Sequence, residues 1–464
     1  MRKRFRLLLY ICFIVGIVST SIVARPMEVQ ASPDYIKKNK VASSQEQLAY
    51  SLGVQAYIYG YPLVVMEHTR QMALKTRAPL NQFYYSSKLA SPQYHDIVTP
   101  NSNTLYFSAW LDLSKGSVVL NVPANTDDRY YTVQMLDAYT NTFRNVSNRT
   151  TKNKAEQFTI VGPAGSSNVT KTSIQTPTPI VWLLGRVQVN GEEDLNRAAA
   201  FEKQFTLSAP TRNPSSGITD DSSLNQMSSM KNDPLAFYKI MTEQIRQNPP
   251  PACDAVLLDQ FKLVGIDPAK GFEPADLNAA TKAGLLRAAK DAQGIITNSV
   301  QSIPTTNGWY IGHNIGTYGN QFLLRAVVAY SGLGANVPQE ELYARAFVDQ
   351  NGEKLQGKQR YVLHFNPNDL PQVTGFWSLT LYGSDFYLVD NAIRRYSIGD
   401  LTKGLLYNPD GSLDIYIQPS APEGKESNWL PAPPGEFNLV LRMFAPKPSM
   451  LEREYEVPPV ARIQ

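Results

Sequence analysis

Cysteine and histidine are scarce: the 464 residues hold two cysteines and four histidines. Cys12 lies in an N-terminal apolar stretch, so a processed chain keeps Cys253 alone, and one thiol cannot close an intramolecular disulfide. The fold must then rest on its core. Cys253 sits between Pro250-Pro251-Ala252 and Asp254, without the basic neighbours that favour a thiolate. No two of His68, His95, His313 and His364 are three or four residues apart, which excludes a zinc-protease helix, and there is no Gly-x-Ser-x-Gly elbow. Neither a metal site nor a cofactor is expected. Gly352–Lys358 lacks the hydroxyl residue of a phosphate loop, and Asn408–Asp414 lacks the terminal Glu of a calcium loop and reads better as a hairpin turn. Charge is thin, at 18% of residues. Residues 1–31 carry five basic side chains and one acid, which leaves the remainder formally neutral and without an electrostatic footprint for nucleic acid.

What is present begins at the N-terminus. Basic Arg2–Arg6, apolar Leu7–Val18 and small-residue exits at Val29-Gln30-Ala31 or Ile22-Val23-Ala24 have the layout of a secretory signal peptide. Cleavage before Ser32 or Arg25 follows, and a retained anchor is the alternative. No later stretch reaches transmembrane length. The expectation is a secreted or cell-envelope protein with no membrane span after cleavage. Asn145, Asn148 and Asn168 head glycosylation sequons.

The hydrophobic period changes twice along the chain. Residues 32–56 read as a polar linker and the start of a helix capped at Ser43 or Ser44, with Leu48, Leu52, Ala56 and Tyr59 on one face. Gly60 and Pro62 predict a stop, and a second helix from Leu63 to Lys75. Residues 57–190 make the first β domain, and from Asn103 the period is two: Leu105, Phe107, Ala109 and Leu111 alternate with polar or aromatic partners, and strands follow at 117–122, 130–136, 158–161 and 180–189. Residues 191–342 read as helical, with Asp233-Pro234 opening one helix. Residues 343–448 return to strands, including a hairpin that pairs Leu405–Tyr407 with Leu413–Ile417, and residues 449–464 form a tail. The fold class is therefore α+β: an N-terminal antiparallel β domain, a helical middle and a C-terminal antiparallel β-sandwich.

Three polar segments carry the candidate chemistry. His95-Asp96 leads through Asn101, Asn103 and Tyr106 into the first long strand, and amide side chains there read either a hydroxyl-bearing ligand or a set of Asx-turns. Gly308–Gly319 places His313 and Tyr318 among four glycines, which suits a cavity-lining loop or a domain connection. Arg394-Arg395-Tyr396 can hold a carboxylate or phosphate, or Arg395 can bridge to Asp400. Tyr130, Gln134, Trp377 and Trp429 complete a set suited to stacking and hydrogen bonding.

At these residues the chain resembles the secreted proteins of unknown function that pair a DUF1254 with a DUF1214 domain. The first domain is marked by Val98–Tyr106, Trp110–Leu113, Asp128–Tyr131, Gln134–Asp137 and Val161–Pro163. The second is marked by Gly375–Thr380, Arg395–Asp400, Asp410–Leu413, Asn428–Pro433 and Phe437–Arg442. The family often carries Asp where this chain has Asn103, and a Tyr-Trp pair where it has Phe444-Ala445. The resemblance implies two β domains, the second a jelly-roll-like sandwich, around a helical middle; it implies no chemistry.

Two functions compete. One is binding of a glycan or small polar ligand in a cleft between the β domains by Asn101, Asn103, Tyr106, Tyr130, Gln134, Tyr318, Trp377, Arg395, Tyr396 and Trp429. The other is a hydrolase or lyase acting on an envelope glycan or amide, with Asp137 or Asp96 and His313 or His95 as acid and base, and Asp400 and Asp414 as further carboxylates. A homodimer is an open option.

Overall fold

A computed structural model of the chain describes residues 33–165, 171–208, 233–452 and 454–463. The signal-peptide segment and the Asn168 sequon lie outside the described residues. Met1–Ser44 and Gln45–Gln464 form two compact units. The first holds the opening turns of helix α1 (Pro33–Thr76), whose residues 41–44 are exposed.

In the second unit, alternation of apolar and polar residues first builds β1 (Tyr84–Tyr85), β2 (Thr104–Asp112), β3 (Val118–Val122), β4 (Tyr131–Leu136), β5 (Thr142–Ser147), β6 (Glu156–Val161), β7 (Ser173–Gln175), β8 (Ile180–Gln188) and β9 (Thr206–Ser208). They form two sheets, β1-β2-β8-β4-β5 and β7-β6-β3-β9, antiparallel except for the β6–β7 edge. Leu105, Phe107 and Ala109 of β2, with Val133 and Leu183 beside them, pack on Leu120, Phe158 and Ile160 of the second sheet. The N-terminal domain is thus itself a sandwich. Strand β5 was not legible in Thr-Phe-Arg-Asn-Val-Ser, because its partners are polar groups of the domain interface and it has no apolar stripe.

The second block repeats the arrangement with β10 (Trp309–Ile311), β11 (Glu341–Ala346), β12 (Arg360–Phe365), β13 (Trp377–Gly383), β14 (Ser397–Gly399), β15 (Leu413–Gln418), β16 (Trp429–Pro431), β17 (Phe437–Phe444) and β18 (Val460–Ile463). Sheet β10-β11-β17-β13-β14 covers sheet β16-β15-β12-β18. Leu342 and Ala344 of β11, Leu439 and Leu441 of β17 and Leu379 of β13 meet Leu363, Phe365 and Ile415. The expected hairpin is half right. Asn408 closes the turn onto the Ser412 carbonyl at 2.8 Å, but 405–407 is not a strand. Asn428 takes both backbone groups of Leu406, at 2.9 and 2.7 Å, and β16 occupies the edge of β15 instead.

Helix α2 (Leu195–Glu202) packs into the first sandwich core through Ala198 and Phe201, and the helical middle consists of α3 (Leu235–Gln247), α4 (Ala255–Lys262), α5 (Ala279–Ser299) and α6 (Phe322–Ser331). Helix α1 joins α3, α5 and α6 in one core, where Tyr57 stacks on Phe237 at 3.8 Å. The break expected at Gly60 and Pro62 does not occur, and α1 runs through both. A missing N–H and a ring clash are local costs of about 3 kcal/mol. Burial of Tyr59, Leu63 and Val64 on either side offsets them, and Gly60 is the point where Met241 approaches the backbone. Asn145 is buried, its amide donating to Thr132 and Asn336 at 3.0 and 2.9 Å, so its sequon is closed in the folded chain.

Gly185 of β8 pairs with Phe107 of β2, and a Cβ there would stand 2.2 Å from the Phe107 ring, which is fully buried. Gly185→Ala is expected to destabilise the protein by about 1–3 kcal/mol through overpacking. Urea unfolding checks it, and a loss below about 0.5 kcal/mol would show that the ring has room to move.

Candidate functional site

The first faces of the two central sheets make dry sandwich cores; their second faces are also buried, and there the charges lie. In β11 the period of two puts Glu341, Tyr343 and Arg345 opposite Leu342, Ala344 and Ala346. Across the ladder, Tyr343 pairs with Arg442 and Arg345 with Val440 of β17. From the other sandwich, β8 contributes Arg186. Its Nε lies 3.9 Å from one Glu341 oxygen, and the Arg442 Nε lies 3.4 Å from the other.

Each guanidinium is fixed by a backbone carbonyl. Arg186 donates to Gly334 at 2.7 Å and to the Gln134 amide oxygen at 2.7 Å. Arg442 donates to Thr99 at 2.7 Å and Arg345 to Ser331 at 3.0 Å. Among the described residues no carboxylate pairs with Arg345; its charged neighbour is Arg442. Burial, and then Arg442, lower the Arg345 guanidinium to about 10, which leaves it charged at neutral pH. Burial raises the Glu341 carboxyl above its ordinary value, against the pull of Arg186 and Arg442. Arg186 and Arg442 therefore share one carboxylate, the half-buried Arg345 stands beside them without one, and one oxygen of that carboxylate has no hydrogen bond.

This cluster forms one end of a cavity of about 270 Å³. The remaining wall is largely apolar, with Ile97, Ile303, Ile315, Leu324, Val327 and Leu333, and exposed Gln301 and Thr305 stand at its mouth. Thr99 lines it in the left-handed region at φ 49°. For a β-branched residue that is strain of about 1–3 kcal/mol. Three bonds hold it: its N–H to Phe386 at 2.8 Å, its hydroxyl to Ser331 at 2.9 Å, and its carbonyl from Arg442.

A second cavity of about 360 Å³ lies on the far side of Ile97, Val98, Tyr106 and Leu333, which line both. Its deep wall includes Trp182, stacked on Trp110 with centroids 5.2 Å apart. At its rim Asp96 pairs with Arg77, and the His95 ring lies 4.2 Å from that of Tyr387.

The residues expected from sequence do not converge. Tyr106 alone of them lines the arginine cavity, with Arg186 over its ring at 5.7 Å and its hydroxyl accepting the Asn101 N–H at 2.8 Å. Tyr106, His95 and Asp96 line the second cavity. Gln134 acts through Arg186. Asn101 and Asn103 build a turn (Asn103 N–H to the Asn101 side chain, 2.8 Å) that Ser397 ties to the second sandwich at 2.8 Å. Asp137 is buried in its own turn, accepting the Tyr139 and Asn141 N–H groups at 2.9 and 2.8 Å; burial raises its carboxyl. Tyr130 packs on Phe376 and Phe444, Trp377 is in the sandwich core and Tyr318 is buried beside Asn141. Tyr396 packs in a small cluster with Tyr382, and the Trp429 indole donates to Gln418 at 2.9 Å. Arg395 donates to the Glu426 and Trp429 carbonyls at 2.7 and 2.8 Å, so the bridge to Asp400 does not form; Asp400 accepts the Trp377 N–H instead. His313 is half-buried next to the cavity loop but does not line the cavity. His364 hydrogen-bonds an expected carboxylate, Asp414, at 2.6 Å, on the open face of the β12–β15 ladder.

Sequence reasoning missed Arg186, Glu341, Tyr343, Arg345 and Arg442. Their signal was an arginine inside otherwise apolar strands, Trp182–Val187 and Leu439–Met443, where burial of a cation demands an anion.

Residues 80–209 match the family described as a protein of unknown function, DUF1254, and residues 340–448 match DUF1214, described in the same words. The VPA0106 protein of Vibrio parahaemolyticus has the same fold, with a TM-score of 0.63 and 23% identity over 90% of this chain and 100% of that one. A putative uncharacterized protein from Burkholderia cenocepacia aligns with a TM-score of 0.44 and 11% identity, over 92% and 94%. No curated protein matches the chain. Among the described residues no helix is long and apolar enough to cross a membrane, and no group of three or more His, Cys, Asp or Glu side chains is placed to hold a metal.

Two outcomes follow from the charges. Glu341→Gln leaves the buried Arg186 and Arg442 without their counter-charge and is expected to cost about 3 kcal/mol or more, whereas Arg345→Leu relieves repulsion from Arg442 and is expected to change stability by less than about 1 kcal/mol. Urea unfolding of both variants reads the contrast, and equal losses would contradict it. The Asp414 hydrogen bond raises His364 above 6.5. Its stabilising effect is full below the unfolded value and is lost as pH rises through the folded one. Imidazole NMR titration should show the raised value in the native protein and a return toward 6.5 in Asp414→Asn.

Proposed function

The chain belongs to the proteins that combine a DUF1254 domain with a DUF1214 domain, and we propose that it binds a small anionic ligand with an apolar body, a carboxylate foremost, in the arginine-bearing cavity between its sandwiches. The observation that carries this is Arg345: a half-buried cation on the cavity wall beside a second, buried cation, with no carboxylate partner among the described residues. Buried charge without a counter-ion is costly, and an anion seated between Arg345 and Arg442 removes both the desolvation and the repulsion. A guanidinium presents a planar fork of N–H donors that suits the two oxygens of a carboxylate.

The apolar wall argues against a glycan, which needs amide and hydroxyl partners along its length. Asn101 and Asn103 are engaged in the turn and seam, and Trp377 and Trp429 are held within the second sandwich. Binding is favoured over hydrolase or lyase chemistry because the cavity wall has no histidine among its described residues, and its carboxylate, Glu341, is held between arginines. The basic, apolar and small-residue order of the N-terminus supports export, so the ligand would be met in the cell envelope or outside the cell.

Titration calorimetry with hexanoate and 1-hexanol separates head-group recognition from apolar burial. Hexanoate should bind at least about tenfold more tightly than the alcohol, and Arg345→Leu should erase the difference. Equal binding of acid and alcohol, or an unaltered preference in Arg345→Leu, would sink the proposal.

A further inference from the structure

The wall between the two cavities is a single layer of side chains. Ile97, Val98, Tyr106 and Leu333 face both spaces. The chemistry of the two spaces differs in a directed way. The first has unbalanced positive charge at one end. The second has none: Arg77 and Asp96 pair with each other at its rim, where Met72, Thr76, His95 and Asp96 are exposed. Its interior is Val65, Ala109, Trp182, Leu184 and Ala329, an apolar slot without a charge to answer. The wall also has a movable member. Leu333 stands between Gly332, where nothing lies within 3.8 Å of a Cβ position, and Gly334, left-handed at φ 80° and packed against Leu184 and Trp182. The open side at Gly332 lets Leu333 change position by rotation of the backbone there. At about 270 Å³ the arginine cavity alone is below the ~300–1,000 Å³ of most ligand pockets, and the second cavity supplies the missing length.

We propose that the ligand is a long-chain amphiphilic acid whose head group sits on Arg345 and Arg442 and whose alkyl tail displaces Leu333 and continues into the second cavity; this rests on the anion-binding reading above. Tail and slot match because both are apolar, and Tyr106, fixed by Asn101 and stacked parallel to Tyr94 at 6.2 Å, provides a flat guide between them. Each methylene that enters the slot leaves water, which favours binding by roughly fourfold.

The test is a series of straight-chain carboxylates from four to sixteen carbons, titrated into the full chain. In the wild type, affinity should keep rising by roughly fourfold per methylene well past hexanoate. In Ala73→Trp, which places an indole in the second cavity from the half-buried face of α1, the rise should stop at a shorter chain. Thr69→Trp, one turn earlier on the same face, repeats the test if Ala73→Trp melts early. A rise that stops at the same length in wild type and both variants overturns the tail assignment while leaving the head group in place. Absence of binding by any acid overturns the anion-binding reading and this one with it. The final arm uses phosphatidylglycerol vesicles: binding to vesicles without binding to monomeric acids overturns the proposal in favour of a lipid surface.

Discussion

Glu341 is the carboxylate that Arg186 and Arg442 share where the two sandwiches meet, and the packing of the sandwiches depends on that arrangement. Arg186 reaches it from the first sandwich; Arg442 and Arg345 stand beside it on the second. The arginines then tie down backbone carbonyls from two distant parts of the chain: Ser331 and Gly334 at the end of α6, and Thr99 before β2. A cation in a low-dielectric interior orients every dipole within reach, and here those dipoles belong to the segments that wall the cavity. The left-handed Thr99 follows from the same cause. Its conformation is unfavourable in isolation and is held because its carbonyl serves Arg442 while its hydroxyl shares the Ser331 carbonyl with Arg345.

Sheets buried on both faces make this possible. Strands β4, β13 and β17 are buried at every position. One face of each is dry and close-packed, as sandwich cores are. The second face meets the other sandwich or the helices, and it carries Gln134, Thr380, Arg186 and Arg442. Polar groups there are satisfied across the domain boundary: Asn145 to Asn336 at 2.9 Å, Ser147 to Glu340 at 3.0 Å, Tyr382 to the Pro100 carbonyl at 2.6 Å. Directional bonds of this kind fix the register of two bodies more tightly than apolar contact does. The cavity lies where they leave space, bounded on its third side by α6.

The division of residues between scaffold and site also explains the scatter of the expected site residues. Asn, Asp and Tyr at turns were plausible ligands by type, but short polar side chains satisfy the nearest backbone donor first. Asp137 does so within four residues, and Asn101 within two. Long cationic side chains cannot close such local rings and must find partners across the fold. The arginines inside strands, and not the amides at the turns, are therefore the polar groups left facing the cavity.

The sequence by itself determined the α+β class, the succession of strands, helices and strands, the inward stripe of most long strands, and the pairing of the two domain types. These are written in local periodicity, which depends on neighbours two to four residues apart. It also contained the clue of arginines in apolar strands without saying what they face. Only the tertiary structure decided that α1 runs through Pro62, that Asn428 and not a hairpin partner holds Leu406, and that Arg186 and Arg442 meet at one carboxylate with Arg345 beside them. Those outcomes come from contacts between residues far apart in sequence, as between Thr99 and Arg442, where burial and charge overrule local preference. A one-dimensional pattern holds no record of which face meets which; the close packing of two twisted sheets and a helical layer settles it.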